Sequence, residues 1–412
     1  MQCLNKYHLL IFSLFSMTRI FGQDALMNYD SAFQLKATWQ EYMPDAFALN
    51  DSTYVMAGLT TNMSSLTVNI FLRWMNTDGT VLREKEIFDL PNSEGYSYAL
   101  NTFYKGSAID HEYIYVLTAS DESLCSISGN MVRANRLVKV QLSDGDVLID
   151  TLFCADNIPL YNDIMASALQ DSLYLYGTIG YLNENPKKTL TVLSKDLVPR
   201  KIYMLKTDDT TILPIGMKED PRSVAGSHGV YDFDPNNTQD IWMGHIVGDS
   251  VRQDYTMKYF SENYLFKTFV IDEHEKAYLA LQLFFPDESS IYLLRDDTLA
   301  WNFYDTFYEE LTDIQRIGAN YCILQADFRD MNDQKDKIVL HYLDYNGFPY
   351  GSDAFTAPWI RFAMNGLLIG PYYFVFVYCS DQDELQAVID NQLPITEARY
   401  EYTHVFKFRI HE

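Results

Sequence analysis

Apolar and polar side chains alternate through most of this chain in short runs, and most runs end at a small cluster of Asp, Asn, Gly or Ser. Period-two alternation predicts β-strands, and the turn residues between runs predict antiparallel neighbours. The clearest stretch is residues 68–87, VNIFLRWMNTDGTVLREKEI, where two such runs flank Asp78-Gly79. Asp-Gly in that setting predicts a β-hairpin with a type I′ turn, whose two central residues both need positive φ. The phrase returns as RLVKVQLSDGDVLIDTLF around Asp144-Gly145 and as KIVLHYLDYNGFPY around Asn346-Gly347. Fainter versions are LTVLSKDLVPRKIYM, YTMKYFSENYLFKTF and IYLLRDDTLAWNFY.

From Pro44 onward these hairpins belong to a recurring four-strand unit. In the first copy, residues 45–50, 53–61, 68–76 and 80–88 read as its four strands, with Asp51-Ser52 as the first turn. The second strand returns at 113–120, 173–180, 241–248, 277–284, 321–327 and 372–379, giving seven copies at uneven spacing. The excess falls in polar loops such as 120–135 and 218–227, which is what repeat architectures tolerate. The last copy supplies RFAMNG, YYFVFVYC and HVFKFRI (404–410) and then reaches Glu412 without a fourth strand. At the other end SAFQLKATWQ (31–40) is a strand too many. Pairing the two ends leaves no long open edge. The competing arrangement makes LQAVID the third strand and 404–410 the fourth. The expectation is a single-domain, all-β, seven-bladed β-propeller of four-stranded antiparallel blades over residues 23–412, closed by the N-terminal strand, with six or eight blades as alternatives.

Composition supports a folded β protein. Hydrophobic residues make up 48% of the 412 and aromatic residues 15%, which suits strands and a large core. Residues 1–22 read as a secretory signal: Lys6 precedes the apolar run LLIFSLFSM, and Phe21-Gly22 offers a cut before Gln23. That run is too short to span a bilayer, and no later stretch is an anchor, so no membrane insertion is expected. The net charge of −25 opposes binding to nucleic acid or anionic lipid and favours solubility and cationic partners. Cys125, Cys154, Cys322 and Cys379 follow the signal. Four in so long a chain make no disulfide framework, and their spacing is no zinc pattern. Cys322 and Cys379 are expected at opposite ends of their strands.

Candidate chemistry is sparse. In YDFDPNNTQD, oxygen-bearing side chains alternate at Asp232, Asp234, Asn236, Thr238 and Asp240, the spacing by which short loops wrap Ca²⁺. Asn237 stands where such a loop wants Gly, Met243 where it wants Glu, and Pro235 stiffens the middle, so a polar turn competes with a Ca²⁺ site. Residues 327–336 form a second acidic loop. There is no nucleophile elbow, zincin helix or phosphate-cradling loop, so no catalytic or cofactor-binding residue is assigned. His245 and His341 fall within expected strands. The aromatic runs at 301–308 and 372–378 offer sugar-stacking platforms, but such runs are more often bulky side chains packed between stacked sheets.

The phrase YVMAGLT at 54–60, followed after a polar loop by IFLRWMNTDGTV, resembles the propeller repeats of secreted bacterial proteins. There an aromatic-Val-x-Ala-Gly-x-Thr strand precedes a Leu-x-Arg/Lys-Leu-x-x-Asp-Gly hairpin. The signal ending in Phe-Gly-Gln resembles those of exported Bacteroidota proteins. The resemblance implies a propeller outside the cytoplasm (secreted, periplasmic or on the cell surface) and no catalytic set; no C-terminal sorting domain is seen. Pattern and resemblance together lead to a monomeric, non-catalytic recognition or scaffold module for a protein or glycan. A glycan hydrolase or lyase at the channel mouth is the alternative.

Overall fold

The computed structural model describes thirty strands and the tight turns at 49–52, 77–80, 110–112, 142–146, 171, 195–198, 205, 248–249 and 370–371, and structural statements here concern those residues. They form seven four-stranded antiparallel sheets and one two-stranded hairpin. After β1 (Met27–Tyr29), sheet 1 runs β2 (Trp39–Ala48), β3 (Thr53–Asn62), β4 (Thr67–Asn76) and β5 (Val81–Pro91). Sheet 2 is β6 (Tyr104–Ile109), β7 (Tyr113–Ala119), β10 (Asn135–Gln141) and β11 (Val147–Phe153), with the hairpin β8 (Ser126–Ile127) and β9 (Asn130–Met131) inserted. Sheet 3 is β12 (Leu160–Ala166), β13 (Ser172–Ile179), β14 (Lys187–Ser194) and β15 (Pro199–Met204). Sheet 4 is β16 (Thr211–Pro214), β17 (Ser223–His228), β18 (Asp240–Val247) and β19 (Ser250–Lys258). Sheet 5 is β20 (Tyr264–Ile271), β21 (Ala277–Phe284), β22 (Ser289–Arg295) and β23 (Thr298–Asp305). Sheet 6 is β24 (Tyr308–Ile317), β25 (Tyr321–Arg329), β26 (Asp336–Asp344) and β27 (Pro349–Thr356). Sheet 7 joins β28 (Ile360–Ile369), β29 (Tyr372–Ser380) and β30 (Glu401–Arg409) to β1.

Period two holds in the inner strands of sheets 1 to 3, but both of their faces are covered, which is why they read as near-continuous apolar runs. In β3, Val55, Ala57 and Leu59 pack toward sheet 2 against Ile114 and Val116. The alternate residues Tyr54 and Met56 pack toward sheet 7 against Phe374, Phe376 and Val405. Tyr115, Leu117 and Leu137 carry the stacking on from sheet 2 to Leu173 and Leu175 of sheet 3. Tyr174, Tyr176 and Leu190 then meet Ile246 of sheet 4. The first strands are the ones that meet, β2 against β28 and β6, β6 against β12, β24 against β20 and β28. Sheets that converge at their first strands and fan toward their fourth have the arrangement of a β-propeller. Six of the seven first strands carry at least one bulge, and β16 is the exception.

Four expectations change in detail, the first being that YTMKYFSENYLFKTF is no hairpin: it spans β19 and β20, which belong to different sheets. The fourth strand of sheet 7 is Met27–Tyr29, paired Met27↔Lys407 to Tyr29↔Val405, in place of residues 31–40. Trp39 and Gln40 open β2 instead, and residues 30–38 lie outside the described set. In sheet 4 residues 240–247 are the third strand, not the second, and β17 takes the second place. That exchange evens out the irregular spacing of the fourth copy. The Asp-Gly hairpins are present at 78–79 and 144–145, but φ is positive only at Gly79 and Gly145. These are longer turns with a left-handed glycine and a bulge beside it, not type I′ turns.

Candidate functional site

Asp232, Asp234, Asn236 and Thr238 lie outside the described residues, so the Ca²⁺ loop stays an expectation. Asp240 opens β18, across from His228 and Lys258, and the loop before it joins second and third strands. His245 and His341 are in strands, as expected, and His341 is buried. The aromatic run in β29 is packing: Tyr373, Phe374, Phe376 and Tyr378 are all buried. Cys322 stands second in β25 and Cys379 second from the end of β29, at opposite ends as anticipated. Cys125 and Cys154 lie outside the described residues.

What sequence reasoning missed is how the charged and polar groups join the sheets. The bulge in β2 places Met43 and Pro44 against one residue of β3, Gly58, whose missing side chain leaves room: a Cβ there would lie 2.1 Å from the Tyr42 carbonyl oxygen. Beyond the bulge, Asp45 turns to sheet 2. Its Oδ2 accepts from the Tyr104 hydroxyl at 2.7 Å, the Ser107 amide at 2.7 Å and the Ser107 hydroxyl at 2.8 Å. Burial raises the Asp45 pKa; these bonds oppose it without cancelling it. Burial, then the Asp45 charge, pushes Tyr42 up to about 12, and the same two causes raise Tyr104. Pro44 within a strand and Gly58 opposite were the signals available for this bulge.

A second device repeats outward from there. In each of three neighbouring sheets, the third-strand residue two places before the end of the strand reaches beneath the third–fourth turn of the next sheet. From sheet 7, Lys407 lies 3.8 Å from the Tyr372 ring centre and donates to the Thr77 carbonyl at 2.6 Å. From sheet 1, Trp74 lies under Gly145, where a Cβ would meet its ring at 3.2 Å. From sheet 2, Lys139 lies 4.0 Å from the Tyr113 ring centre and reaches Asp196 at 3.3 Å. The turn above Lys139 has Leu197 where its counterparts have glycine, at φ 60° and buried between sheets 2 and 3.

In an antiparallel meander the first–second and third–fourth turns share one end of the sheet, so these turns make one face. It is built from acids that cap their own backbones. Asp78 accepts from the Thr80 amide and Asp144 from the Asp146 amide, each at 2.9 Å. Asp110 accepts from the amides of Glu112 and Tyr113, and its second oxygen takes Tyr115 and Lys195, the latter at 3.1 Å. Burial acts to raise Asp110, but these donors outweigh it and the net shift is downward. The Thr80 amide likewise lowers Asp78. This face therefore holds Asp78 and Asp110 toward their ionised forms, on turns pinned from below by the neighbouring sheet.

No family model matches the chain, and neither does any curated protein. Among solved structures it is similar to the β-propeller domain of the trilobed protease from Pyrococcus furiosus, at 8% identity and a TM-score of 0.47, covering 82% of this chain and 91% of that one. It is similar to the WD40 domain of SCAP from fission yeast, at 8% identity and 0.42, over 94% and 98% of the two chains. A mutant of the Synechocystis apocarotenoid oxygenase gives 10% identity and 0.38, over 60% of this chain and 56% of that one. At such identities the likeness transfers neither activity nor ligand.

Proposed function

We propose that the chain is a seven-bladed propeller closed by β1, exported through cleavage of residues 1–22, and that it acts as a non-catalytic recognition or scaffold module for a protein or glycan. One observation carries this reading. Around sheets 7 to 3, the charged and aromatic residues between sheets hold turns in place, and the acids of those turns face outward. A surface held this way loses little entropy when a partner docks, which is what a recognition platform needs. Such a platform displays its variable segments at the ends of its sheets. The test is to incubate the purified mature chain with labelled polysaccharides and extracellular proteins. Saturable binding with every product unchanged is the expected result; release of reducing ends or unsaturated sugars would overturn the non-catalytic reading. N-terminal sequencing of exported protein should begin at Gln23, and an intact Met1 would overturn the export reading. Small-angle scattering should fit a closed disc; an open arc would overturn ring closure.

A further inference from the structure

Exposed apolar side chains recur beside the third–fourth turns of four successive sheets. In sheet 1, Leu82 is 53% exposed. In sheet 2, Val147 and Leu148 are 39% and 47% exposed. Val198 of sheet 3 and Val247 of sheet 4 reach 59% and 56%. Each lies within two residues of its turn, and the four sheets stack in order through shared cores, so these residues form one arc along a single rim. One exposed Leu or Val on a surface needs no explanation; exposed apolar side chains beside the same turn in four adjacent repeats do.

Between the apolar residues stand the exposed acids of the same turns, Asp78, Asp144, Asp196 and Asp249. Neighbouring cations offset them only in part: Lys407 acts on Asp78, and the exposed Arg252 lies three residues from Asp249. Lys85 is paired with Asp146, Lys139 with Asp196 and Lys195 with Asp110. The two exposed cations of β15, Arg200 and Lys201, sit against Asp171 and the Tyr203 ring. The arc thus sets apolar knobs among partly paired carboxylates, on a chain whose net charge is −25. A second copy of this chain would bring acid to acid, at −25 per chain, and an anionic lipid surface would be repelled in the same way.

We infer that this arc is the docking surface for a cationic amphipathic segment of another protein, with apolar residues on one stripe and Lys or Arg beside them. Apolar contacts supply the affinity, and the carboxylates supply encounter rate and sign selectivity. The inference rests on the recognition reading and assigns it a partner class and a place.

The test uses the full mature chain and three synthetic peptides: an amphipathic Leu/Lys peptide, its Leu/Glu counterpart, and a Ser/Lys peptide with charge alone. Leu/Lys should bind saturably by fluorescence anisotropy and weaken with salt, while Leu/Glu should not bind. The combined variant Leu82→Ser, Leu148→Ser, Val198→Ser and Val247→Ser, all exposed sites, should bind about tenfold more weakly with its melting temperature unchanged. A photoreactive Leu/Lys peptide on the unsubstituted chain should cross-link within residues 142–152 and 195–204. The inference is overturned by any of four results: no binding, equal binding of Ser/Lys, cross-links confined to other sheets, or dimerisation that the variant abolishes. Saturable glycan or protein binding alongside a null peptide result would sink the arc and leave the recognition reading standing. Turnover of a glycan would sink the recognition reading itself.

Discussion

The junction between sheets 1 and 2 and the junction between sheets 2 and 3 solve one geometric problem with different chemistry. Both must fix a third–fourth turn against the sheet before it. At the first, a large neutral knob, Trp74, fills the space and the turn above it must be glycine, with Gly145 at φ 79°. At the second, the slim stem of Lys139 leaves space and the turn fills it from above with Leu197, left-handed at φ 60°. Volume is exchanged across the junction and the total is kept, as close packing requires. The polar links differ in the same sense. Asp45, between sheets 1 and 2, is held by neutral donors alone, while Asp110, between sheets 2 and 3, also has Lys195. The first junction is therefore held chiefly by shape, with an exposed Lys85–Asp146 contact at 3.8 Å, and the second partly by charge.

The largest test of that difference is truncation of the two knobs. Trp74→Ala should destabilise by about 3–5 kcal/mol, the range for emptying a buried aromatic site. Lys139→Ala loses a stem contact and a pair to an exposed carboxylate, and should cost only about 1 kcal/mol. Equal losses in denaturant melts would break the comparison. Next comes Gly58→Ala. The added Cβ would meet the Tyr42 carbonyl oxygen at 2.1 Å and the Met43 Cα at 2.7 Å, backbone atoms that cannot yield without undoing the bulge that aims Asp45. A loss of about 3 kcal/mol is expected; a near-neutral melt would show that the bulge is not fixed. Smaller still is Leu197→Gly. It relieves about 1–2 kcal/mol of left-handed strain but forfeits a buried leucine, so net destabilisation of about 1–3 kcal/mol should remain. A stabilised variant would mean that Leu197 does not wedge the junction.

These junctions also mark where the sequence becomes hard to read. The Asp-Gly turns at 78 and 144 announce themselves because the signal is local: two residues decide the turn and the flanking runs decide the strands. The knobs do not, since Trp74 and Lys139 gain their roles from turns roughly 60–70 residues onward, and the meander supplies that proximity. Asp45 is similar, reaching Ser107 across 62 positions. In sheet 4 the local signal misleads. β17 is SVAGSH and β16 only TILP, so the apolar run IWMGHIV, truly the third strand, reads as the second. At the N-terminus the alternation in SAFQLKATWQ outshines MNY, although the three-residue strand is the one paired with β30. Short edge strands carry little pattern because little of them is covered.

The finest discriminator between the junctions is pH, because their carboxylates are shifted in opposite directions. The Asp45 pKa is raised in the folded chain, so folding favours its protonated form. Its contribution is fully present below the unfolded value of about 3.9 and is lost as pH rises through the folded value. The Asp110 pKa is lowered, so its contribution is present above about 3.9 and is lost as pH falls through the folded value. Acidification from neutrality should therefore tighten the junction of sheets 1 and 2, and loosen that of sheets 2 and 3 only below about pH 4. Asp45→Asn keeps an acceptor for Tyr104 and Ser107 and removes the buried charge. The difference in melting temperature, variant minus native, should grow more positive from pH 4 to pH 7. Asp110→Asn loses the ion pair with Lys195, and its difference should grow more negative as pH rises toward about 4 and then level off. Parallel curves for the two variants would mean that both carboxylates sit in equivalent surroundings, contrary to the hydrogen bonds around them. Curves of opposite slope would tie the contrast between neutral and charged junctions to the stability of the fold.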